Sequence, residues 1–139
     1  MITYFDTSIL IKLVIDDEAY RPESERLWLD SEYVVCAEIG YVEARAALAA
    51  ARRRGRLDTA GLPIAKEQLE LLWKQMSIVV VDTALVRAAG EIAERGALRG
   101  YDAVHLAAAI TGQVTVVASA DRQLVEAARR RGLAVAEPS

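Results

Sequence analysis

The chain has 139 residues, a length that fits one globular domain with an adequate core. Hydrophobic residues make up 53% and charged residues 27%, a balance that excludes an intrinsically disordered protein. The net charge of −3 argues against general binding of polyanions, although local arginine clusters can still attract them. Because Asp6 interrupts the apolar start and Cys36 is the only cysteine, we expect a single cytoplasmic domain, residues 1–139, without a disulfide or membrane segment.

Short apolar runs that favour strands alternate with longer runs that favour helices. In chain order we predict strand Ile2–Phe5, helix Ser8–Ile15, helix Glu23–Asp30, strand Tyr33–Cys36, helix Glu38–Arg54, helix Ala65–Met76, strand Ile78–Val81, helix Ala84–Arg95, helix Ala103–Ile110, strand Val114–Ala118, helix Arg122–Arg131 and strand Ala134–Ala136. The segment Gly55–Pro63 is predicted to be an exposed loop. The third and fourth strands are mostly apolar, which predicts helices on both of their faces. This alternation predicts an α/β/α sandwich around a mostly parallel sheet of about five strands.

Four acidic residues stand where an acid is unexpected. Asp6 ends the first strand, and Glu43 lies on the apolar side of a helix, where it has no capping role. Asp102 opens an almost wholly apolar helix, and Asp121 follows the fourth strand. Sites in open α/β sheets lie beyond the carboxyl ends of the strands, which favours convergence of all these acids except Asp102, whose position the strand order does not give. Clustered buried carboxylates require a cation, and oxygen ligands select Mg²⁺ or Mn²⁺.

Three of these acids also have a structural interpretation. Asp6 could cap the helix that follows it, although Thr7 or Ser8 could serve equally well. Asp102 and Asp121 could each interact with the positive end of a helix, and for either one taken singly that role is the more common. The functional interpretation therefore depends on the acids lying together in one site.

Glu43 and the single histidine need separate treatment. Glu43 could form a buried ion pair, and Arg45 or Arg87 could supply its partner. His105 lies three residues after Asp102, so both can face the same side of a helix. A histidine in this position is more often a hydrogen-bond partner or a core residue than a catalytic base.

Other site classes find little support in the sequence. The chain contains no glycine-rich nucleotide-binding motif, and one histidine with one cysteine cannot form a zinc site of the usual kinds. Two alternatives stay open. Asp6 could be the phosphate acceptor of a phosphotransferase or phosphohydrolase, although Ser8 stands where a D-x-D motif needs its second acid. The chain could also be a non-catalytic binding module.

Four features together resemble the PIN-domain ribonucleases, and among them the VapC-type toxins of bacterial toxin–antitoxin pairs. They are Tyr4-Phe5-Asp6-Thr7-Ser8-Ile9-Leu10, the internal Glu43, the stretch from Leu98 to Ala107, and Ala118-Ser119-Ala120-Asp121-Arg122-Gln123-Leu124. Each is weak alone, but their order and spacing are fairly specific and the resemblance covers essentially the whole chain. One departure is Cys36, where relatives commonly carry Ser or Thr.

The resemblance implies a metal-dependent endoribonuclease toxin that cleaves a structured cellular RNA, either transfer RNA or ribosomal RNA, with one or two Mg²⁺ or Mn²⁺ ions. The implied partners are a VapB-like antitoxin and a second copy of the chain in a homodimer. The acidic quartet maps to Asp6, Glu43, Asp102 and Asp121, with Asp6, Asp102 and Asp121 as metal ligands. The family's small hydroxyl residues map to Thr7 or Ser8 and to Ser119. From the residues themselves, we expect His105 to support the site, and Arg52, Arg53, Arg54, Arg99 and Arg122 to contact RNA.

Overall fold

Five strands form one parallel sheet in the computed structural model, which describes residues 1–15 and 21–138. The strands are β1 (Ile2–Phe5), β2 (Tyr33–Ala37), β3 (Ser77–Val79), β4 (Val116–Ala118) and β5 (Ala134–Ala136). Their order in the sheet is β3-β2-β1-β4-β5, and every neighbouring pair is parallel. The predicted fold class is therefore confirmed.

Helices cover both faces of this sheet, each over its own hydrophobic core. They are α1 (Thr7–Lys12), α2 (Arg21–Asp30), α3 (Ile39–Arg53), α4 (Gly61–Gln75), α5 (Thr83–Gly96), α6 (Gly100–Thr111) and α7 (Arg122–Arg130). One core is formed with residues of α5, α6 and α7, and the other with residues of α1, α3 and α4. Helix α6 is rich in buried alanine, which lets it pack closely against its neighbours.

The register of the central strands fixes where the functional residues leave the sheet. Phe5 of β1 pairs with Ala118 of β4, so Asp6 and Ser119 leave the same edge side by side. The backbone N–H of Asp6 extends this ladder by donating to the carbonyl of Ala118 at 3.2 Å. Strands β2 and β3 lie on one side of β1, and strands β4 and β5 lie on the other side. This edge is therefore a topological switch point, where open α/β sheets bind ligands.

The bounds of several predicted elements differ from the structure by one to four residues, and two expectations about them are wrong. The third strand was expected to be covered on both faces, but β3 is an edge strand and is only partly buried. The loop predicted at Gly55–Pro63 ends earlier, because α4 already begins at Gly61. Pro63 lies in the first turn of that helix, where its missing N–H costs no hydrogen bond, so it does not delay the start of the helix.

Helix α3 approaches β2 unusually closely at one point. A Cβ atom added to Gly40 would lie 2.4 Å from the Sγ atom of Cys36. Glycine is therefore required there for α3 to pack against the strand. Cys36 is fully buried, and burial raises the pKa of its thiol well above the ordinary value.

Candidate active site

Asp6 is held at the carboxyl end of β1 and is only 5% exposed. Its Oδ1 atom accepts hydrogen bonds from the Ile9 N–H at 3.3 Å and from the Ser8 hydroxyl, and Oδ2 accepts from the Ser119 hydroxyl at 2.5 Å. Burial raises the pKa of Asp6, although the bonds from Ser119 and Ser8 oppose that rise. The sequence left the capping role of α1 open to Thr7 or Ser8 as well. Asp6 is the residue that caps α1, and it is at the same time a buried acid of the candidate site.

Two hydroxyl groups join Asp6 to the loop that follows β4. Ser8 Oγ accepts from the Ala120 N–H at 2.9 Å, and Ser119 Oγ accepts from the Asp121 N–H at 2.9 Å. A backbone N–H can only donate, so each hydroxyl directs its single proton to the Asp6 carboxylate. The Ser8 and Ser119 hydroxyls therefore orient Asp6 and fix Asp121 beside it.

Glu43 is half-buried one turn into α3, and its known contacts fall on one oxygen. Its Oε1 atom accepts from the Thr7 hydroxyl at 2.9 Å and is 2.6 Å from His105 Nε2. Burial raises the pKa of Glu43, but its interactions with His105 and Thr7 together outweigh the effect of burial and lower the pKa below its ordinary value. The proposed ion pair with Arg45 or Arg87 is wrong. Arg45 instead donates to the Tyr41 hydroxyl at 2.6 Å.

A buried tyrosine sets the orientation of His105. The Tyr4 hydroxyl accepts from the Ala37 N–H at 2.9 Å and lies 2.5 Å from His105 Nδ1. Burial raises the pKa of Tyr4, so its phenol keeps a proton that Nδ1 can accept. We assign the His105 proton to Nε2 on this hydrogen-bond pattern, which makes it the donor to Glu43. The sequence did not reveal the part played by Tyr4, although Tyr4 and Asp6 are two residues apart on one strand and so share a face.

Replacing Tyr4 with phenylalanine should destabilise the fold by about 1–3 kcal/mol, because the buried Ala37 N–H and His105 Nδ1 both lose a partner. Urea denaturation measures this change in the free energy of unfolding. Tyr33→Phe is the matched control, because Tyr33 is 60% exposed, and it should stay within about 0.5 kcal/mol of the parent. Equal stability of the two variants would contradict the assigned hydrogen-bond pattern.

Asp102 and Asp121 are joined by one arginine. Asp121 caps α7, where its Oδ1 accepts from the backbone N–H groups of Gln123 at 2.9 Å and Leu124 at 3.3 Å. Its Oδ2 accepts from Arg99 Nη2 at 2.8 Å, and Asp102 Oδ2 accepts from Arg99 Nε at 3.1 Å. The hydrogen bond to Asp102 and the charges of both acids raise the pKa of Arg99. Asp102 itself lies in the first turn of α6 and is buried.

All four acids therefore belong to one connected set of contacts. Glu43 is linked through Thr7 to the adjacent Asp6, Asp6 through Ser119 to Asp121, and Asp121 through Arg99 to Asp102. The structure brings together every residue that the sequence proposed as an acid or as a supporting position. Convergence of the acids at the switch point is what the functional interpretation required.

The donors at this site suit a hard divalent cation. They are carboxylate and hydroxyl oxygens, which Mg²⁺ and Mn²⁺ prefer. Within residues 1–15 and 21–138, no three Asp, Glu, His or Cys side chains already form a group that could hold a metal ion. A positive group, the Arg99 guanidinium, already stands between Asp102 and Asp121. The residues thus fit a cation by chemistry and charge, and the Arg99 guanidinium occupies the Oδ2 atoms of Asp102 and Asp121.

The other arginines proposed for RNA contact divide into two groups. Arg122 is exposed at the start of α7, next to Asp121. Arg52, Arg53 and Arg54 lie at the far end of α3, about 15 Å along the helix axis from Glu43 at 1.5 Å per residue. The structure does not bring these three to the acids, and Arg52 donates to the Thr59 hydroxyl at 3.0 Å. Their contact with RNA stays a prediction.

Comparison with known proteins shows which family and which relatives this chain is similar to. The model of the family described as PIN domain matches residues 3–130. Ribonuclease VapC45 of Mycobacterium tuberculosis (strain CDC 1551 / Oshkosh) is 36% identical over 137 residues, covering 97% of this chain and 94% of the relative. None of the described helices is long and apolar enough to cross a membrane.

Two solved structures share the fold at lower sequence identity. One is VapC20 of Mycobacterium tuberculosis, a sarcin–ricin loop cleaving toxin, with a TM-score of 0.69 and 19% identity over 90% of this chain and 94% of that one. The other is a toxin–antitoxin complex from Klebsiella pneumoniae, with a TM-score of 0.69 and 16% identity over 99% of this chain and 98% of that one. Both similarities agree with the topology described above.

Proposed function

We propose that this chain, which belongs to the PIN domain family and is of its VapC type, is an endoribonuclease toxin that needs Mg²⁺ or Mn²⁺ to cleave a structured cellular RNA. The observation that supports it best is the connected set of four acids at the switch point of the sheet. A ribonuclease relative at 36% identity supports the choice of RNA as substrate. A loop of ribosomal RNA or a transfer RNA is the substrate class that we propose.

Asp6, Asp102 and Asp121 would hold the ion, one or two in number. When bound, a divalent cation lowers the pKa of a coordinated water and stabilises negative charge on the scissile phosphate. Ser8 and Ser119 hold the Asp6 carboxylate in place, and their loss would misorient it. Because these ligands come from three separate segments, the packing of the sheet and its helices fixes the geometry in advance.

We assign Glu43 as the general base that accepts a proton from the attacking water. Thr7 and His105 hold its Oε1 atom, which leaves Oε2 to accept a proton. His105 donates to Glu43 and is held by Tyr4, so it positions the base and does not touch the substrate. Attack by water would leave a 5′-phosphate and a 3′-hydroxyl.

Asp6 is poorly placed for the alternative role of phosphate acceptor. Both of its oxygens already accept hydrogen bonds, and only 5% of the residue is exposed. A nucleophile needs a free lone pair directed at the substrate. Oδ2 accepts one hydrogen bond and keeps one lone pair, which a metal ion could also use, so the role of Asp6 as a metal ligand rests on its grouping with the other acids.

The partners that we propose are a VapB-like antitoxin and a second copy of the chain. A site with four acids attracts an arginine, whose planar guanidinium matches carboxylate geometry. An antitoxin could inhibit by placing an Arg or Lys against Asp6 and Asp102. The toxin–antitoxin complex from Klebsiella pneumoniae, which has the same fold, supports the existence of such a partner.

RNA cleavage should not require the 2′-hydroxyl at the cut site, since the water supplies the nucleophile and a single histidine cannot provide the acid–base pair for 2′-hydroxyl attack. The cut site is first mapped by sequencing RNA 5′-ends after induction of the protein in cells. An oligonucleotide of that sequence with one 2′-deoxy substitution should be cleaved within about tenfold of the all-ribose rate when Mn²⁺ is present. A product ending in a 2′,3′-cyclic phosphate would contradict the proposal.

A further inference from the structure

Arg99 is the one residue of the described site that carries a positive charge between two of the acids. It occupies the position just before α6 with an extended backbone, and its own side chain does not cap that helix. The side chain turns instead toward Asp102, three residues later, and Asp121, from a different segment. Arg99 therefore joins the start of α6 to the start of α7.

The exposure of the three side chains shows what kind of contact this is. The Arg99 side chain is 72% exposed, whereas those of Asp102 and Asp121 are 12% and 25% exposed. Each acid receives a single hydrogen bond from Arg99, so neither carboxylate is held by two parallel bonds from the guanidinium. Solvent screens such pairs, and they contribute little to stability. The arginine can therefore leave without breaking the fold.

A counter-ion is nevertheless required at this place. Two carboxylates facing one region repel each other unless a positive charge neutralises them. Any cation that binds between Asp102 and Asp121 must compete with the guanidinium for their Oδ2 atoms. An arginine released beside that cation would still be in reach of the phosphate that the site recognises, and a guanidinium binds phosphate well.

We propose that Arg99 is a displaceable counter-ion, which neutralises Asp102 and Asp121 until a divalent cation binds and then turns to hold the RNA phosphate. This proposal rests on the proposed function, because it assumes that the acids bind a cation and that the substrate carries a phosphate. It makes Arg99 a positioning residue with two opposed effects. It should weaken cation binding and strengthen cleavage.

The experiment measures Mn²⁺ binding by isothermal titration calorimetry on the purified chain without RNA. Arg99→Gln should bind Mn²⁺ about three- to tenfold more tightly than the parent, since a weak exposed competitor is removed. Arg122→Gln is the matched control. Arg122 is also an exposed arginine and adjoins Asp121, so its loss reports the general effect of removing a nearby charge. We expect that effect to be less than about twofold.

The second measurement is cleavage of the mapped RNA at saturating Mn²⁺. Arg99→Gln should then cleave at least about tenfold more slowly, with most of the loss in KM, because a phosphate contact is missing. Arg99→Lys should recover part of this loss, because it keeps the charge but not the guanidinium plane. Tighter Mn²⁺ binding combined with weaker cleavage is the signature that a merely structural arginine would not produce.

Equal or weaker Mn²⁺ binding by Arg99→Gln, or a gain no larger than that of Arg122→Gln, would overturn the proposal. Undiminished cleavage by Arg99→Gln would overturn the second part of the proposal, in which Arg99 holds the RNA phosphate. Failure of the proposed function gives a different result. In that case the parent chain binds Mn²⁺ and cleaves no RNA, while the order of Mn²⁺ affinities still decides whether Arg99 is the counter-ion. Absence of Mn²⁺ binding in both the parent and Arg99→Gln would also overturn the proposal that Arg99 is a displaceable counter-ion.

Discussion

RNA cleavage is expected to fall by about a thousandfold or more when Asp6 is replaced by asparagine, without loss of the fold. The substitution removes a charged ligand, and the loss should exceed the 10- to 100-fold typical of a residue that only supports a ligand. Volume is nearly constant, and the remaining carbonyl oxygen can still accept from the Ile9 N–H. A single-turnover cleavage assay with Mn²⁺ measures the effect.

Asp82→Asn is the control for this substitution. Asp82 caps α5 by accepting from the Leu85 N–H at 2.9 Å and lies in no part of the proposed site, so its replacement should leave cleavage within about threefold. The proposed role of Asp6 would be contradicted if Asp6→Asn kept its cleavage activity and lost as much stability as a variant without an ordinary helix cap. Asp6 would then be a helix cap only.

The pH dependence of stability gives a further test of whether Asp6 is a site acid or only a helix cap. Since burial raises the pKa of folded Asp6 above its ordinary value of 3.8, ionisation of Asp6 costs the metal-free fold stability. That cost is absent below pH 3.8, grows as the pH rises through the raised folded pKa, and is constant above it. Metal-free Asp6→Asn should therefore gain on the parent over this window and match or exceed its melting temperature at neutral pH.

Mn²⁺ should raise the free energy of unfolding of the parent chain by about 2.7 kcal/mol when the ion is at a hundred times its dissociation constant. For a chain of this length that corresponds to a rise in melting temperature of about 10 °C. Asp6→Asn and Asp102→Asn should each lose most of this rise, and the double variant should lose little more, because residues that share an ion do not act additively. Differential scanning fluorimetry with and without Mn²⁺ measures all three.

Asp82→Asn again supplies the reference and should keep the full response to Mn²⁺. The alternative, in which Asp6 and Asp102 only serve the starts of helices, makes the opposite prediction. Both single variants would then melt at a lower temperature without Mn²⁺ and show an undiminished rise with it. The two patterns cannot be mistaken for one another, because they differ in sign without the ion and in size with it.

The parts of the site that the sequence predicted are those fixed by the order of strands and helices. Asp6 and Ser119 follow paired strands, so alternation of strands and helices is enough to bring them to one edge. Asp102 could not be placed in this way, because it precedes a strand by a whole helix. Its position depends on how the apolar face of α6 packs over the sheet, which no local pattern contains.

The contacts of Glu43 and Arg99 were beyond sequence reasoning for a different reason. Arg45 is close to Glu43 along the chain, but residues two apart on a helix do not face each other, and the partner is His105, 62 residues away. Arg99 was proposed as an RNA contact. Its spacing of three residues allows the pair with Asp102, but nothing in its sequence neighbourhood indicates the contact with Asp121, 22 residues away. Side-chain contacts across elements are decided by packing in three dimensions, whereas periodicity describes only one element at a time.

The hydroxyl of Ser119 also determines when the site can be completed during synthesis. Asp6 leaves the ribosome early, but Ser119, which donates one of its orienting hydrogen bonds, lies 113 residues later. At roughly 5–20 residues per second, the ribosome needs on the order of ten seconds to add them. Until the segment from α6 to the loop after β4 is made, the nascent chain carries Asp6 without Ser119 and Glu43 without His105. A protein that attacks RNA would therefore stay harmless to the ribosome that is making it until translation is almost finished.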